Sequence, residues 1–490
     1  MRKSGVLLPI SSLYGKYGIG SFSKESYEFI DFLEKANQKI WQILPLGPTG
    51  YGDSPYQSFS TFAGNPFFIS LEELVKEGLL SQEECDALDY GNDETKVDYE
   101  KIFKSRTVLL KKAYERSQIG EKEEFQNFVL ENEYWLKDYA LYMAIKDELG
   151  GCSWTSWPED LKLRKAEVLE QYRKKLEAEI ECYQFQQFYF KKQWMQLKQY
   201  ANKKGIEIVG DIPIYVSLDS ADAWANPSLF QLDEKCNPKA VAGCPPDAFS
   251  ATGQLWGNPL YTWEYHKETG YEWWVKRIGY CFQLYDIVRI DHFRGFDEYY
   301  SIPYGELTAM NGHWEKGPGM NLFTTLKEQL GEKPIIAEDL GFLTDSVIQL
   351  VKDTGYPGMK ILQFAFDSRE ESDYLPHNYV KNSVVYTGTH DNDTTAHWFE
   401  VLDSQDKDMA VKYMNLQDDS EACSEMIRMA YASVSETCII PIQDFLELGE
   451  EARINMPSTL GTNWTWRMRA DACNNDLAKR MAELVMIYKR

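Results

Sequence analysis

Apolar positions along the chain gather in short runs that end in a turn or an acidic residue. Eight such runs span residues 6–10, 40–46, 206–211, 286–291, 334–338, 359–364, 383–391 and 438–443. Stretches with helical spacing of apolar residues, such as 322–330 and 345–354, separate several of them. Strands that alternate with helices predict βαβ units and a parallel sheet. Eight of them predict an α/β fold of the (β/α)₈ TIM-barrel kind.

The spacing of the runs is uneven, and the long gaps locate insertions. Residues 71–204 are rich in Glu, Lys, Leu, Gln and Tyr, with helical periodicity at 125–142 and 183–200. They are expected to form a mainly helical insertion. Residues 217–270 begin rich in Gly, Pro, Asn and Trp and are expected to be a second, loop-like insertion. Loops of that length in a compact domain are usually functional. The expectation is therefore one catalytic domain over residues 1–490, enlarged by insertions rather than divided into beads.

Composition narrows the class. The 490 residues are 43% hydrophobic and 26% charged, enough apolar matter for a large core and unlike a disordered chain. The net charge of −24 argues against nucleic acid or an anionic membrane as partner, since both need cationic surface. No apolar run approaches the ~18 residues of a membrane span. The basic start resembles a signal peptide, but its apolar part, Val6 to Ile10, is too short and contains Pro9. Nine cysteines without CxxC pairs suggest reduced thiols and a cytoplasmic protein. Six histidines form no ligand motif, so neither metal nor other cofactor is expected.

What ends the strands is more informative. Asp211, Asp291, Glu338 and Asp391 each close one of the runs. A single acid there is often a turn or cap residue. Four together point to the C-terminal mouth of a barrel, where catalytic residues come from several strands. Arg289 and Asp291 are two apart and share a strand face, so the guanidinium is expected to keep that carboxylate ionised, as a nucleophile requires. Glu338 follows four apolar positions and suits a carboxyl held protonated, a general acid. Asp339 beside it suits a helix cap. His390 and Asp391 stand together where both can hydrogen-bond a polyol. Two carboxylates with a supporting third form the apparatus of glycosidic-bond chemistry.

Six ordered motifs carry a resemblance to a known family. They are Gly47-Pro-Thr-Gly-Tyr-Gly-Asp-Ser-Pro-Tyr-Gln-Ser58, Gly210-Asp-Ile-Pro-Ile-Tyr-Val216 and Pro245-Pro-Asp-Ala-Phe-Ser-Ala-Thr-Gly-Gln-Leu-Trp-Gly-Asn-Pro259, then Arg289-Ile-Asp-His-Phe-Arg-Gly295, Ile336-Ala-Glu-Asp-Leu-Gly341 and Gly388-Thr-His-Asp-Asn392. Over nearly its whole length the chain resembles 4-α-glucanotransferases of the amylomaltase type, glycoside hydrolase family 77 of the α-amylase clan. The resemblance implies Asp291 as nucleophile, Glu338 as general acid/base and Asp391 as the third carboxylate. It implies sugar contacts for Tyr56, Asp211, Arg289, His390 and Asn463, and a lid from Pro245 to Trp256 whose Asp247, Gln254 and Trp256 face the glucan. It implies a more remote glucan contact for Tyr51. The family lacks the clan's C-terminal β-sandwich, and only about 50 residues follow the last run here. The implied partners are α-1,4-glucan donor and acceptor: maltooligosaccharides, amylose and glucose. Residue chemistry alone leaves an amylase-like hydrolase open, because water and a sugar 4-OH use the same acid/base, and a non-catalytic glucan-binding protein is the remaining alternative.

Overall fold

The computed structural model describes residues 2–50, 52–246, 250–341, 343–459 and 461–490. Among them twelve strands follow in chain order: β1 (Lys3–Leu7), β2 (Ile40–Gln42), β3 (Glu207–Pro213), β4 (Ala240–Cys244), β5 (Gln254–Pro259), β6 (Ile287–Asp291), β7 (Glu298–Pro303), β8 (His313–Lys316), β9 (Ile335–Ala337), β10 (Gly358–Ile361), β11 (Ser383–Tyr386) and β12 (Thr437–Pro441). Eight of these pair in the order β10-β11-β12-β1-β2-β3-β6-β9, and every pairing is parallel. They coincide with the eight apolar runs. The two edge strands meet at a seam. There the Ala337 N–H donates to the Pro357 carbonyl at 3.0 Å, and the Met359 N–H donates to Asp339 Oδ1 at 2.7 Å. Asp339 is thus a stitch of the barrel and not the helix cap its position suggested. A Cβ on Gly358 would come within 2.2 Å of that carboxylate, so this strand can begin only with glycine.

Amphipathic helices cover the barrel. Lys24–Lys35 buries Phe29, Ile30, Phe32 and Leu33. Asp345–Thr354 buries Val347 and Leu350 and stops at Gly355, whose φ of 71° is the usual left-handed terminus. Large rings tie neighbouring elements together through their polar ends. Trp41 Nε1 donates to the Leu8 carbonyl at 2.9 Å, and Trp194 Nε1 to the Leu284 carbonyl at 3.0 Å. Residues 71–204 hold several helices, the longest being Tyr99–Ser117, Glu133–Glu148 and Glu177–Lys203. Glu133–Glu148 docks on the loop after β3 through one carboxylate. Asp219 takes the Lys146 ammonium at 2.6 Å and the Tyr142 hydroxyl at 2.6 Å. No described helix is long and apolar enough to cross a membrane, and all nine cysteines are free.

Residues 217–270 hold more regular structure than their composition suggests. β4 and β5 pair antiparallel with each other, and β4 pairs with β7, giving a four-stranded sheet in the order β5-β4-β7-β8. Two of its strands come from the connection after β3 and two from the connection after β6. Both connections leave the C-terminal ends of neighbouring barrel strands, so the sheet stands beside the barrel mouth.

Candidate active site

The mouth is assembled around a buried guanidinium. Arg289 points inward from β6 with only 3% of its side chain exposed, and its Nη1 reaches Asp211 at 2.7 Å and Asp291 at 3.0 Å. Asp211, at the end of β3, is fully buried. Its Oδ2 also accepts the Tyr56 hydroxyl at 2.9 Å. The strand carrying it lies against Tyr285. A Cβ on Gly210 would come within 2.2 Å of that ring. Asp211 is therefore held by Arg289 and Tyr56 and, with Tyr56, lines the cavity at the mouth. The resemblance suggested a sugar contact for it.

Asp291 ends β6 with 29% of its side chain open to solvent. Its carboxyl pKa lies above the ordinary range, and burial is the main cause. Arg289 pulls it down, while the charges of Asp211 and Asp391 push it up. Arg289 thus favours the ionised carboxylate, as its place on the strand suggested, against the burial that opposes it. The guanidinium is shared with Asp211, and its remaining pull does not offset desolvation.

Glu338 follows β9, the barrel neighbour of β6. Its Oε2 accepts the His292 N–H at 2.6 Å and its Oε1 the Leu340 N–H at 2.8 Å. Burial first, then the Asp291 charge, raises its pKa strongly; Arg289 and the two N–H groups oppose this without winning. His292 reaches its position in the left-handed region, at φ 52°. That turn aims its N–H at Glu338 and sets its ring perpendicular to Trp256, with centroids 4.8 Å apart. Burial holds the His292 ring neutral, its pKa pushed down to about 3.

Asp391 sits in the loop after β11 with 44% of its side chain exposed. That loop is fixed at several points. Buried Asp444 accepts the Thr395 N–H at 2.8 Å and the Thr387 hydroxyl. Asn392 Oδ1 accepts the Thr389 N–H at 2.9 Å. Asn455 Nδ2 donates to Asp391 Oδ1 at 2.6 Å, and Arg453 donates to the Asp391 carbonyl at 3.2 Å. Sequence reasoning missed Asn455 and Arg453, which lie 62 and more positions away in the chain on no periodic element. His390 is buried, its Nε2 3.3 Å from Asp391. Its ring lies flat under Tyr56, with centroids 5.1 Å apart and planes at 17°. One face of Tyr56 is thereby occupied by protein, and Trp464 leans on it at 5.8 Å and 45°.

The remaining candidates divide. Gln254 and Trp256 share β5, where the indole N–H donates to Gln254 Oε1 at 3.1 Å. Asn463 folds onto its own loop. Its Nδ2 donates to the Thr459 carbonyl at 3.0 Å and its Oδ1 accepts the Met456 N–H at 3.0 Å. Trp464 beside it, with φ 65°, is the residue of that segment that reaches Tyr56 and His390. Tyr51 and Asp247 lie outside the described residues. The described residues also include no cluster of His, Cys, Asp or Glu that could hold a metal ion.

A parallel barrel that gathers ionisable carboxylates from neighbouring strands at its C-terminal mouth defines a barrel enzyme of the carbohydrate-active class. Comparison with known proteins narrows it. The family model described as 4-alpha-glucanotransferase, glycoside hydrolase family 77, matches residues 8–473. A 4-alpha-glucanotransferase of Clostridium butyricum is 52% identical over 483 residues, covering 98% of this chain and 99% of that one. One from Thermus thermophilus is 44% identical over 478 residues, 95% of each chain. The amylomaltase of Streptococcus agalactiae, solved in complex with acarbose, superposes with a TM-score of 0.97 at 44% identity over 100% of both chains. The chain belongs to the 4-alpha-glucanotransferase family.

Proposed function

We propose that this barrel disproportionates α-1,4-glucans by a retaining double displacement, with Asp291 as nucleophile and Glu338 as general acid/base. In the first step Asp291 attacks the anomeric carbon, and the glycosidic C–O bond breaks. Glu338 gives its proton to the leaving 4-oxygen. The glucan segment on the non-reducing side stays on Asp291 as an ester. In the second step Glu338 takes the proton from an acceptor's 4-OH, which attacks the same carbon from the vacated side and frees Asp291. Asp391, held by Asn455, accepts hydrogen bonds from the sugar ring at the cleavage point.

The observation that carries this assignment is the difference between two neighbouring carboxyls. Asp291 pairs with the Arg289 guanidinium at 3.0 Å, whereas Glu338 is held by two neutral backbone N–H groups, of His292 and Leu340. One proton shared between them therefore resides on Glu338, which leaves an acid and an ionised nucleophile together. Arg289 and His390 act as positioning residues, holding Asp291, Asp391 and Tyr56 from below. The segment 245–256 serves as a lid, with Trp256 as its apolar face, and shields the ester from water. Transfer then prevails over hydrolysis through a pre-oriented acceptor. The domain reading keeps one catalytic domain over 1–490, with 71–204 and 217–270 as insertions within it.

The test is the product pattern from maltotriose. Wild-type protein should yield glucose and a ladder of longer maltodextrins, and Asp291→Asn should yield neither. Glucose and maltose without longer products would replace transfer with hydrolysis. Substantial turnover by Asp291→Asn would remove the nucleophile assignment.

A further inference from the structure

β5 departs from its neighbour at the place where it carries Trp256. Leu255 pairs with Gly243 and Pro259 with Val241, so Trp256, Gly257 and Asn258 stand opposite Ala242 alone. The strand therefore bulges, and Gly257 takes the bend at φ 77°. A Cβ there would meet open space, so it is the left-handed backbone and not crowding that calls for glycine. Bulges are common beside active sites, where they re-aim a side chain. This one brings the Trp256 indole to His292, with centroids 4.8 Å apart.

A bulge gives up ladder pairing and needs another hold. Trp256 supplies little of it. Its hydrogen bond goes to Gln254 of the same strand, and its ring meets only His292 and Tyr215 among the described residues. Asn258 supplies the rest. Its side chain is buried, and both ends of its amide are used. Nδ2 donates to the Val216 carbonyl at 2.7 Å, in the connection after β3. Oδ1 accepts Gln57 Nε2 at 3.1 Å, from the segment that carries Tyr56. That segment is closed at its base, where the Phe59 N–H donates to the Pro48 carbonyl at 3.2 Å. Among the described residues no other side-chain hydrogen bond ties 256–258 to another element. Tyr56 does not depend on the tie. Asp211 accepts its hydroxyl, and His390 and Trp464 hold its ring.

We infer that Asn258 is a positioning residue for the acceptor half of the reaction. It fixes the β5 bulge, and through the bulge it sets the Trp256 indole over the mouth, while the charged floor stays independent of it. The inference rests on the lid reading of Trp256 for what the indole does there. Asn258→Ala removes both ties. Gln57→Ala removes the longer one and keeps the bond to Val216, so it is the milder change.

α-Maltotriosyl fluoride separates the two halves of the reaction. Fluoride leaves as the Asp291 oxygen bonds the anomeric carbon, so kcat/KM for fluoride release reports ester formation without a sugar leaving group. With glucose added, the sugar products report how the ester divides between glucose and water. Asn258→Ala should keep kcat/KM for fluoride release within about twofold of wild type and raise the ratio of hydrolysis to transfer roughly three- to fivefold, the effect of one lost buried hydrogen bond. Gln57→Ala should move the ratio the same way by less, and it decides the matter if Asn258→Ala does not fold. In a Trp256→Ala background, adding Asn258→Ala should shift the ratio no further, because the two changes act through one indole. A wild-type ratio in Gln57→Ala and Asn258→Ala, a fall in fluoride release as large as the fall in transfer, or additive effects of the Trp256 and Asn258 changes would overturn the inference. Failure of the lid reading shows separately, as a wild-type ratio in Trp256→Ala itself.

Discussion

At the floor of the catalytic cleft, Arg289 is clasped between Asp211, by hydrogen bonds of 2.7 and 2.8 Å, and Asp291, by an ion pair at 3.0 Å, the two carboxylates standing toward the ends of neighbouring barrel strands. At the rim, Trp256 and Gln254 ride on β5, an edge strand of the antiparallel sheet whose Leu255 is 39% exposed. The floor works by charge in a place where water screens little, so small changes in ionisation are strongly felt. The rim, in the proposed lid role, would work by shape and by excluding water. Substitution should therefore act on the floor through stability and pH, and on the rim through the fate of the intermediate.

The largest expected effect is at the floor. Asp211→Asn keeps the shape but removes one of the two carboxylates that balance buried Arg289. Breaking a buried pair costs about 3–5 kcal/mol, because the remaining charge stays desolvated. Denaturant unfolding should show a loss of that size. Arg289 would then serve Asp291 alone, and the Asp211 charge that raises the Asp291 pKa would be gone. The acid limb of kcat/KM should move to lower pH. A loss under about 1 kcal/mol with an unmoved acid limb would mean that the clasp does not hold the site.

The same contrast governs what the chain reveals before folding. The strand-end acids were legible because a short apolar run stops at or just before each of them, and the barrel follows from the eight such runs. The rim sheet was not. β5 contains Gly257, Asn258 and Pro259, and three of the four residues of β8 are exposed, so neither shows the alternation of a half-buried strand. Asn455 was invisible for another reason. Its partner Asp391 lies 64 positions away, and only the folded chain brings the two loops together. Asn463 stood out as a motif residue, yet its polar groups close its own turn. In that segment Trp464 is the side chain that reaches Tyr56 and His390.

Next in size is the pH response of the unmodified floor. The proposed double displacement requires Asp291 ionised and Glu338 protonated. Asp291 has its pKa raised to about 6, so kcat/KM should fall about tenfold per unit below that pH as the nucleophile takes up a proton. Glu338 is raised to about 8, so activity should fall again above that pH as the acid loses its proton. A bell with its plateau between these limits is the expected profile on maltotriose. Retained activity two units above the upper limit would assign the proton donor to another group.

The smallest effect is expected at the rim, and it separates the two regions most directly. Trp256→Ala removes an indole that covers His292, next to the nucleophile, but touches neither Asp211 nor Arg289 in any described contact. Barrel stability should change little, since β5 is partly open to solvent and belongs to the outer sheet. The pH limbs should stay in place, because no charge of the floor has moved. What should change is partition. With less apolar cover over the ester on Asp291, water competes better with the acceptor 4-OH, and the ratio of hydrolysis to transfer should rise by roughly tenfold, about 1.4 kcal/mol between the two barriers. Counting reducing ends alongside the maltodextrin ladder measures that ratio. An unchanged ratio would place water exclusion elsewhere in the lid. A shifted acid limb would show that floor and rim share one electrostatic unit.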